Sequence, residues 1–129
     1  MRKGLESAKK GKLSSKLFRN KKILTLYSER EQFCLLGDFY VRLPEKKRAK
    51  SLEEADGILY MKHYFERRTD YTGLAYNRIY DVYWIDRESG TIQKIYTKYT
   101  TPPRSGYGTL YGEEIPLKTI WNGIRGALK

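Results

Sequence analysis

Apolar and polar residues alternate along much of the chain beyond residue 22, and this period of two is typical of β-strands with unlike faces. The alternation predicts strands at residues 23–27, 32–36, 39–43, 58–66, 78–86 and 91–99. Residues 58–66 give the strongest pattern, because their side chains divide into one apolar and one mixed set. One face would hold Leu59, Met61, His63 and Phe65, and the other Tyr60, Lys62, Tyr64 and Glu66.

Turn-forming residues connect these strands. The pair Gly37-Asp38 predicts a two-residue hairpin turn between the second and third predicted strands. The sequence RESG at residues 87–90 predicts another hairpin, with Gly90 in the left-handed backbone conformation.

Two segments follow helical rules instead. Ser51 and Glu54 have the spacing of a capping box, which predicts one short helical turn. Residues 116–128 predict a C-terminal helix, because Pro116 suits the first helical position and apolar residues recur at helical spacing. The apolar face of that helix would hold Leu117, Ile120, Trp121, Ile124 and Leu128. The predicted fold class is therefore α+β: a mainly antiparallel β-sheet covered on one face by a C-terminal amphipathic helix.

The positive charge is concentrated near the N-terminus. The chain has a net charge of +11, and residues 1–22 hold nine Lys or Arg against one Glu, which is +8 of that total. This composition predicts a basic, flexible tail at residues 1–22 and a single α+β domain at residues 23–129. Because Leu13, Leu17 and Phe18 would share a helical face, the tail could instead dock as a short helix.

The single cysteine, Cys34, lies among apolar residues and has no partner for an internal disulfide. This agrees with a buried thiol in a reducing compartment. No run of about 18 apolar residues suggests a membrane span, and no apolar stretch of a secretory leader follows the basic residues. We therefore expect a cytoplasmic protein without a transmembrane segment.

The hairpin at residues 78–99 is rich in aromatic residues. The register set by its turn puts Tyr83 opposite Lys94 on a half-exposed face. Further from the turn, the same register puts Asp81 opposite Tyr96 on that face. The other face, which should pack on the C-terminal helix, would hold Tyr80, Val82, Trp84, Ile95 and Thr97.

The half-exposed face of this hairpin has two interpretations. Packing is the simpler one, because aromatic residues are common in strands. Alternatively, Tyr83 and Tyr96 would stack on the bases of a single-stranded nucleic acid, flanked by the cations of Lys94 and Lys98. The aromatic string typical of RNA-recognition domains is absent from the chain.

Candidate nucleic-acid contacts combine the basic tail, this face and two loops. The cations of the tail and loops would contact phosphates, which hold a strand in position without reading its sequence. The same cations would also suit an acidic protein surface or an anionic membrane. The full candidate set is Lys9, Lys10, Lys12, Arg19, Arg67, Arg68, Tyr83, Lys94, Tyr96, Lys98 and Arg104.

Residues suited to catalysis or metal binding are sparse. A lone histidine on an apolar strand face, as His63 is, usually belongs to the core, and a nucleophilic pair with Cys34 has no further support. Asp38, Glu45 and Lys47 resemble the acid and E-x-K set of metal-dependent nucleases, but so short a motif arises by chance in a highly charged chain. We predict no catalytic residue, no metal and no cofactor.

Several segments after residue 41 resemble a sparsely described bacterial family of small α+β domains. They are RLPEKKRAKSLEEADGILY, DYTGLAYNRIYDVYWIDRESGTI, PPRSGYGTLYG and the closing amphipathic helix, together about two thirds of the chain. The resemblance implies an α+β domain and assigns no activity, cofactor or catalytic residue.

The sequence thus favours a small non-enzymatic interaction domain with a basic arm. A nucleic-acid-binding protein that uses the tail and the aromatic face is the alternative, followed by a small metal-dependent nuclease. The partner is unknown; the basic residues would suit an anionic one, either nucleic acid or an acidic protein surface, and a free sheet edge could also pair with another chain.

Overall fold

The computed structural model describes residues 9–29, 32–70, 73–100 and 117–128 of the 129-residue chain. The strands are β1 Lys9–Lys10, β2 Ile23–Glu29, β3 Gln32–Leu35, β4 Gly57–Asp70, β5 Gly73–Asp86 and β6 Ile92–Thr100. The α-helices are α1 Gly37–Arg42 and α2 Leu117–Ile124, and short 3₁₀ helices form at Ser15–Phe18, Glu45–Lys47 and Arg125–Leu128. None of the helices in these ranges has the length and apolar character needed to cross a membrane.

The strands form one mixed sheet in the order β1-β6-β5-β4-β2-β3. β2 pairs with β3 in antiparallel fashion, and so do β4 with β5 and β5 with β6. β1 runs parallel to β6, and β2 runs parallel to β4. The α+β class is confirmed, but the prediction of a mainly antiparallel sheet is wrong. The parallel pairing of β2 with β4 is possible because the segment between them is long enough for a crossover.

The segment after β3 is a helix, so the predicted hairpin around Gly37-Asp38 is wrong. Helix α1 begins at Gly37 and buries Phe39, while Leu36 and Leu43 are buried on either side of it. A strand would bury Val41 together with Phe39, yet Val41 is 64% exposed. The buried positions therefore follow the helical spacing of three and four residues.

The core lies on one side of the sheet, which we call the first face and define by Leu59, Met61, Tyr80, Val82 and Trp84. The division of β4 into an apolar and a mixed face is therefore as predicted. Helices α1 and α2 pack here, with the Phe39 and Trp121 ring centroids 5.4 Å apart. The C-terminal helical segment covers twelve residues, eight in α2 and four in the following 3₁₀ helix. Its buried residues are Ile120, Trp121, Ile124 and Leu128, all on the predicted apolar face.

The basic N-terminal region contributes to this core. The 3₁₀ helix Ser15–Phe18 docks on the first face, where the fully buried Phe18 ring meets Trp84 edge-on at 5.0 Å. Leu13 and Leu17 pack around it, as a docked helix would require. Residues 1–8 lie outside the described ranges, so the extent of a flexible basic tail stays a prediction.

The turns that hold the strands agree with the sequence. Gly90 has a φ of 70° in the turn between β5 and β6. In the same turn, Asp86 accepts hydrogen bonds from the Ser89 backbone N–H and hydroxyl at 3.0 and 2.9 Å. Half of the predicted capping box is present. The backbone N–H of Glu54 donates to Ser51 Oγ at 3.2 Å, but the Glu54 carboxylate accepts from the backbone N–H of Lys50 rather than from that of Ser51.

Candidate binding site on the second face of the sheet

A β-bulge in β6 decides which side chains share a face. Tyr83 pairs with Lys94 as predicted, but the register then shifts and Val82 pairs with Tyr96, leaving Ile95 as the extra residue. A bulge of this kind moves every later side chain of the strand to the opposite face. Asp81 consequently lies opposite Thr97 rather than opposite Tyr96, so that part of the predicted register is wrong.

The side of the sheet opposite the core, which we call the second face, holds Tyr60, Tyr64, Asp81 and Tyr83. Tyr60 and Tyr83 are buried there and stack with ring centroids 6.2 Å apart. No helix in the described part of the chain is part of the small apolar cluster around them. Exposed rings extend the face at two corners, where Tyr99 is 57% and Phe33 is 50% exposed.

A cavity of about 580 Å³ opens beside this tyrosine pair. Strands β4, β5 and β6 supply its walls, and β1 adds one edge because Lys10 lies in register with Lys94. The side chains that give it chemical character belong to Lys10, Tyr64, Asp81, Lys94, Thr97 and Tyr99. The cavity therefore combines two ammonium groups, one carboxylate and two aromatic rings.

Asp81 is the unusual residue of this cavity. Its side chain is 1% exposed in the middle of β5, although an ionised carboxylate is costly to bury. Oδ1 accepts a hydrogen bond from Thr97 Oγ1 at 2.8 Å. The Lys94 ammonium lies 3.6 Å from Oδ2, and Oδ2 has no hydrogen-bond partner among the described residues.

The surrounding tyrosine hydroxyls remain protonated near neutral pH. Burial, followed by the negative charge of Asp81, raises the pKa of Tyr83 to about 12. Burial, followed by interaction with the Asp81 carboxylate, also raises the pKa of Tyr64. The Lys94 ammonium lies 5.9 Å from the centre of the Tyr83 ring, within cation–π range. These groups can donate hydrogen bonds, stack and attract an anion.

Three of the predicted site residues line this cavity: Lys10, Lys94 and Tyr96. Tyr83 adjoins it, because its ring lies 5.9 Å from the Lys94 ammonium. The bulge nevertheless puts Tyr96 and Lys98 in register with Val82 and Tyr80 of the first face, so neither has the predicted position beside Tyr83. Tyr96 packs there against α2 so closely that a Cβ at Gly123 would overlap its ring. Lys98 pairs with Tyr80 of the core.

The remaining predicted residues do not join the cavity lining. Lys12, Arg19 and Arg67 are exposed elsewhere. Arg104 lies outside the described residues, as do the side-chain positions of Lys9 and Arg68. For these positions the proposed phosphate contacts stay predictions.

Sequence reasoning missed Tyr64, Asp81, Thr97 and Tyr99 as parts of one site. The available signal was Asp81, a lone acid inside the apolar run IYDVYWI. A charge in a strand that is otherwise buried on both faces needs a partner or a ligand, and such positions are enriched at functional sites.

The residues considered for catalysis have structural contacts instead. The Lys47 ammonium donates to the backbone carbonyl of Phe18 at 2.9 Å, and Asp38 pairs with Arg42 at 3.2 Å. His63 stacks on Tyr80 with ring centroids 4.6 Å apart. Within the described ranges, no group of three His, Cys, Asp or Glu residues could hold a metal ion.

Comparisons with known proteins give no relative for this chain. No protein-family model, no curated protein and no solved structure matches it.

Proposed function

We propose that this chain is a non-enzymatic binding domain that uses the second face of its sheet to hold an anionic partner. The observation that carries the proposal is the cavity where Lys10 and Lys94 meet the rings of Tyr64 and Tyr99. The first face suits an anion less well. α1, α2 and Ser15–Phe18 cover its core, and the cavity of about 420 Å³ beside Met61 and His63 is lined by no Lys or Arg among the described residues.

The anionic character of the partner follows from the local and the overall charge. Lys10 is exposed and the Lys94 side chain is 38% exposed, so both ammonium groups can reach a ligand. A net charge of +11 attracts anions over a distance and speeds their encounter with the protein. Lys10 and Lys94 lie on neighbouring strands, so together they provide one defined place where an anionic group can bind.

Single-stranded nucleic acid is the partner class that uses all of these groups. Its phosphates would contact Lys10 and Lys94, and its bases would stack on aromatic rings such as the exposed Tyr99. The specific observation in favour of this class is that the cations and the rings border the same cavity. A folded acidic protein would need the lysines but not the rings.

The test is fluorescence anisotropy of a labelled mixed-sequence single strand with the full chain, over about 50 to 200 mM salt. Lys94→Gln should weaken binding and reduce the slope of log affinity against log salt by about one unit, as loss of one phosphate contact does. Tyr99→Ala should weaken binding with little change in slope, because stacking is not an ionic contact.

Lys98→Gln is the matched control, because Lys98 lies on the same strand but faces the core side of the sheet. It should leave the affinity and the salt slope close to those of the natural chain. Equal effects of the two lysine substitutions would contradict a binding site on the second face. Thermal melts of each variant separate loss of binding from loss of folding.

Two further expectations accompany the proposal. The free thiol of Cys34 agrees with a reducing compartment such as the cytoplasm. Strand β3 forms an edge of the sheet, with Leu35 and Phe33 about half exposed, so pairing with another chain at this edge stays a prediction.

A further inference from the structure

One oxygen of the Asp81 carboxylate makes no hydrogen bond to the described residues, although the hydroxyls of Tyr64 and Tyr83 lie near enough to interact with the carboxylate. Oδ1 accepts a hydrogen bond from Thr97, whereas Oδ2 accepts none within the described ranges and lies 3.6 Å from the ammonium of Lys94. A buried carboxylate oxygen without a hydrogen bond costs free energy, and a bound donor would remove that cost. Oδ2 of Asp81 can therefore accept a hydrogen bond from a ligand.

The neighbours of Asp81 restrict the shape and charge of that ligand. Asp81 repels a phosphate, whereas Lys10 and Lys94 at the same cavity attract one. A ligand must therefore present a donor edge to Asp81 and an anionic group to the lysines. The rings of Tyr64 and Tyr99 favour a flat ligand, and about 580 Å³ is within the usual volume of a small-molecule site.

Building on the proposed nucleic-acid function, we propose that this cavity takes a guanine nucleotide, with the base edge on Asp81 and the phosphate on Lys10 and Lys94. Guanine presents two adjacent donors on its pairing edge, the ring N1–H and the N2 amino group. Adenine and cytosine place a ring-nitrogen acceptor beside their amino donor, and uracil flanks its single N–H with two carbonyls. A carboxylate, which only accepts, therefore favours guanine.

The first experiment compares mononucleotides with the full natural chain. GMP, IMP, AMP, CMP and UMP are titrated, with tyrosine and tryptophan fluorescence as the readout. GMP should bind about tenfold or more tightly than AMP, in line with one good bidentate contact to a base. IMP, which keeps N1–H but lacks the N2 amino group, should bind between the two.

Two variants assign the preference to Asp81. Asp81→Asn keeps the shape but replaces one acceptor oxygen by a donor, so it should remove most of the preference for GMP over AMP. Glu66→Gln is the matched control, because it neutralises an exposed carboxylate on the neighbouring strand and should leave the preference unchanged. The comparison of nucleotides in the natural chain decides the question even if Asp81→Asn does not fold.

A second arm distinguishes a free nucleotide from a base within a strand. An oligothymidylate with one central guanine is compared with the unsubstituted oligothymidylate. Tighter binding of the guanine strand than of the unsubstituted strand assigns the site to a base within a strand. Equal binding of the two strands beside a preference for GMP over AMP assigns it to the free nucleotide.

Equal binding of all five mononucleotides would overturn the guanine assignment. The proposed function would survive that result if Lys94→Gln and Lys98→Gln still differed with the mixed-sequence strand. Absence of any mononucleotide or strand binding would overturn both proposals. Saturable binding of a free amino acid, with its ammonium on Asp81 and its carboxylate on the lysines, would also overturn the nucleotide assignment.

Discussion

At the scale of single residues, Gly90 shows how one backbone conformation shapes the hairpin of β5 and β6. Its φ of 70° lies in the left-handed region, where a Cβ is strained. No atom lies near the position that a Cβ would occupy, so the cost of a substitution there is a backbone cost alone.

We expect Gly90→Ala to lower the free energy of unfolding by about 1 kcal/mol. Gly90→Asn should cost less, because asparagine tolerates the left-handed conformation better than other residues with a side chain. Urea unfolding followed by tryptophan fluorescence measures both changes. Alanine and asparagine variants as stable as the natural chain would contradict the assigned turn.

His63 links the stability of the fold to pH. Burial, followed by the positive charge of Arg78, lowers the pKa of His63 below its ordinary value of 6.5. The unfolded chain therefore takes up a proton near pH 6.5 while the folded chain stays neutral at that position. The free energy of unfolding should be level above this pH and should fall as the pH drops from 6.5 toward the lowered pKa.

Replacing the imidazole tests this link. We expect His63→Phe to flatten the pH dependence of the free energy of unfolding below about pH 6.5, because no titrating group remains at the site. Asp86→Asn is the control. Burial opposes ionisation of Asp86, but the hydrogen bonds from Ser89 and the charge of Lys21 outweigh it and lower the pKa of Asp86. Its contribution is present above about pH 3.8 and is lost only below that value, so the slope near pH 6 should not change. A natural chain equally stable at pH 7 and pH 5 would contradict the role of His63.

At the scale of elements, the close contact between β4 and β5 depends on Gly57. A Cβ there would overlap the ring of the buried Trp84 and would lie 2.7 Å from the carbonyl oxygen of Ile85. Neither the ring nor the backbone can move freely, because both lie in the packed sheet.

We expect Gly57→Ala to destabilise the fold by about 1–3 kcal/mol through overpacking. Gly37→Ala is the matched control, because no atom lies within 4 Å of the point where its Cβ would be and the site is helical. Alanine is a better helix former than glycine by about 1 kcal/mol, so that variant should be neutral or more stable. Thermal and urea unfolding of the pair provide the comparison. Equal stability of the two variants would contradict the tight contact at Gly57.

Short sequence patterns correctly predicted the strands, turns and helix whose conformation depends on neighbouring residues. The alternation at residues 58–66, the turn at Gly90 and the apolar face of the C-terminal helix all have short-range causes. Helix α1 was not predictable in this way, because a short apolar run around Phe39 and Val41 fits either period. The parallel pairing of β2 with β4 was not predictable either, because it joins strands that are distant in sequence.

The difference between features set by nearby residues and features set by distant strands also explains how much of the site could be predicted. Lys94 lies near the turn, so its pairing with Tyr83 followed from turn geometry. The bulge at Ile95 leaves no mark in the alternation of β6, and it reversed the predicted faces of Tyr96 and Lys98. The approach of Lys10 to the cavity depends on a contact with a distant strand, which one sequence does not encode in any local pattern.

At the scale of the whole molecule, one face of the sheet packs against the helices and the other face carries the proposed binding cavity. The first face is covered by helices from both ends of the described chain, whereas the second face holds the charged cavity. Substitutions at Phe18 or Trp84 should therefore act on stability. Substitutions at Lys94 or Tyr99 should act on affinity with smaller effects on folding.

The docking of Ser15–Phe18 beside the C-terminal helical segment has a consequence for the order of folding. Leu128 and Phe18 belong to one core, although about a hundred residues separate them. During synthesis on a ribosome, the antiparallel strands β4, β5 and β6 can associate soon after they emerge, because their contacts are local. Phe18 can meet Trp84 once β5 has emerged, but the part of the core that contains Leu128 can close only after the C-terminal helical segment has left the exit tunnel.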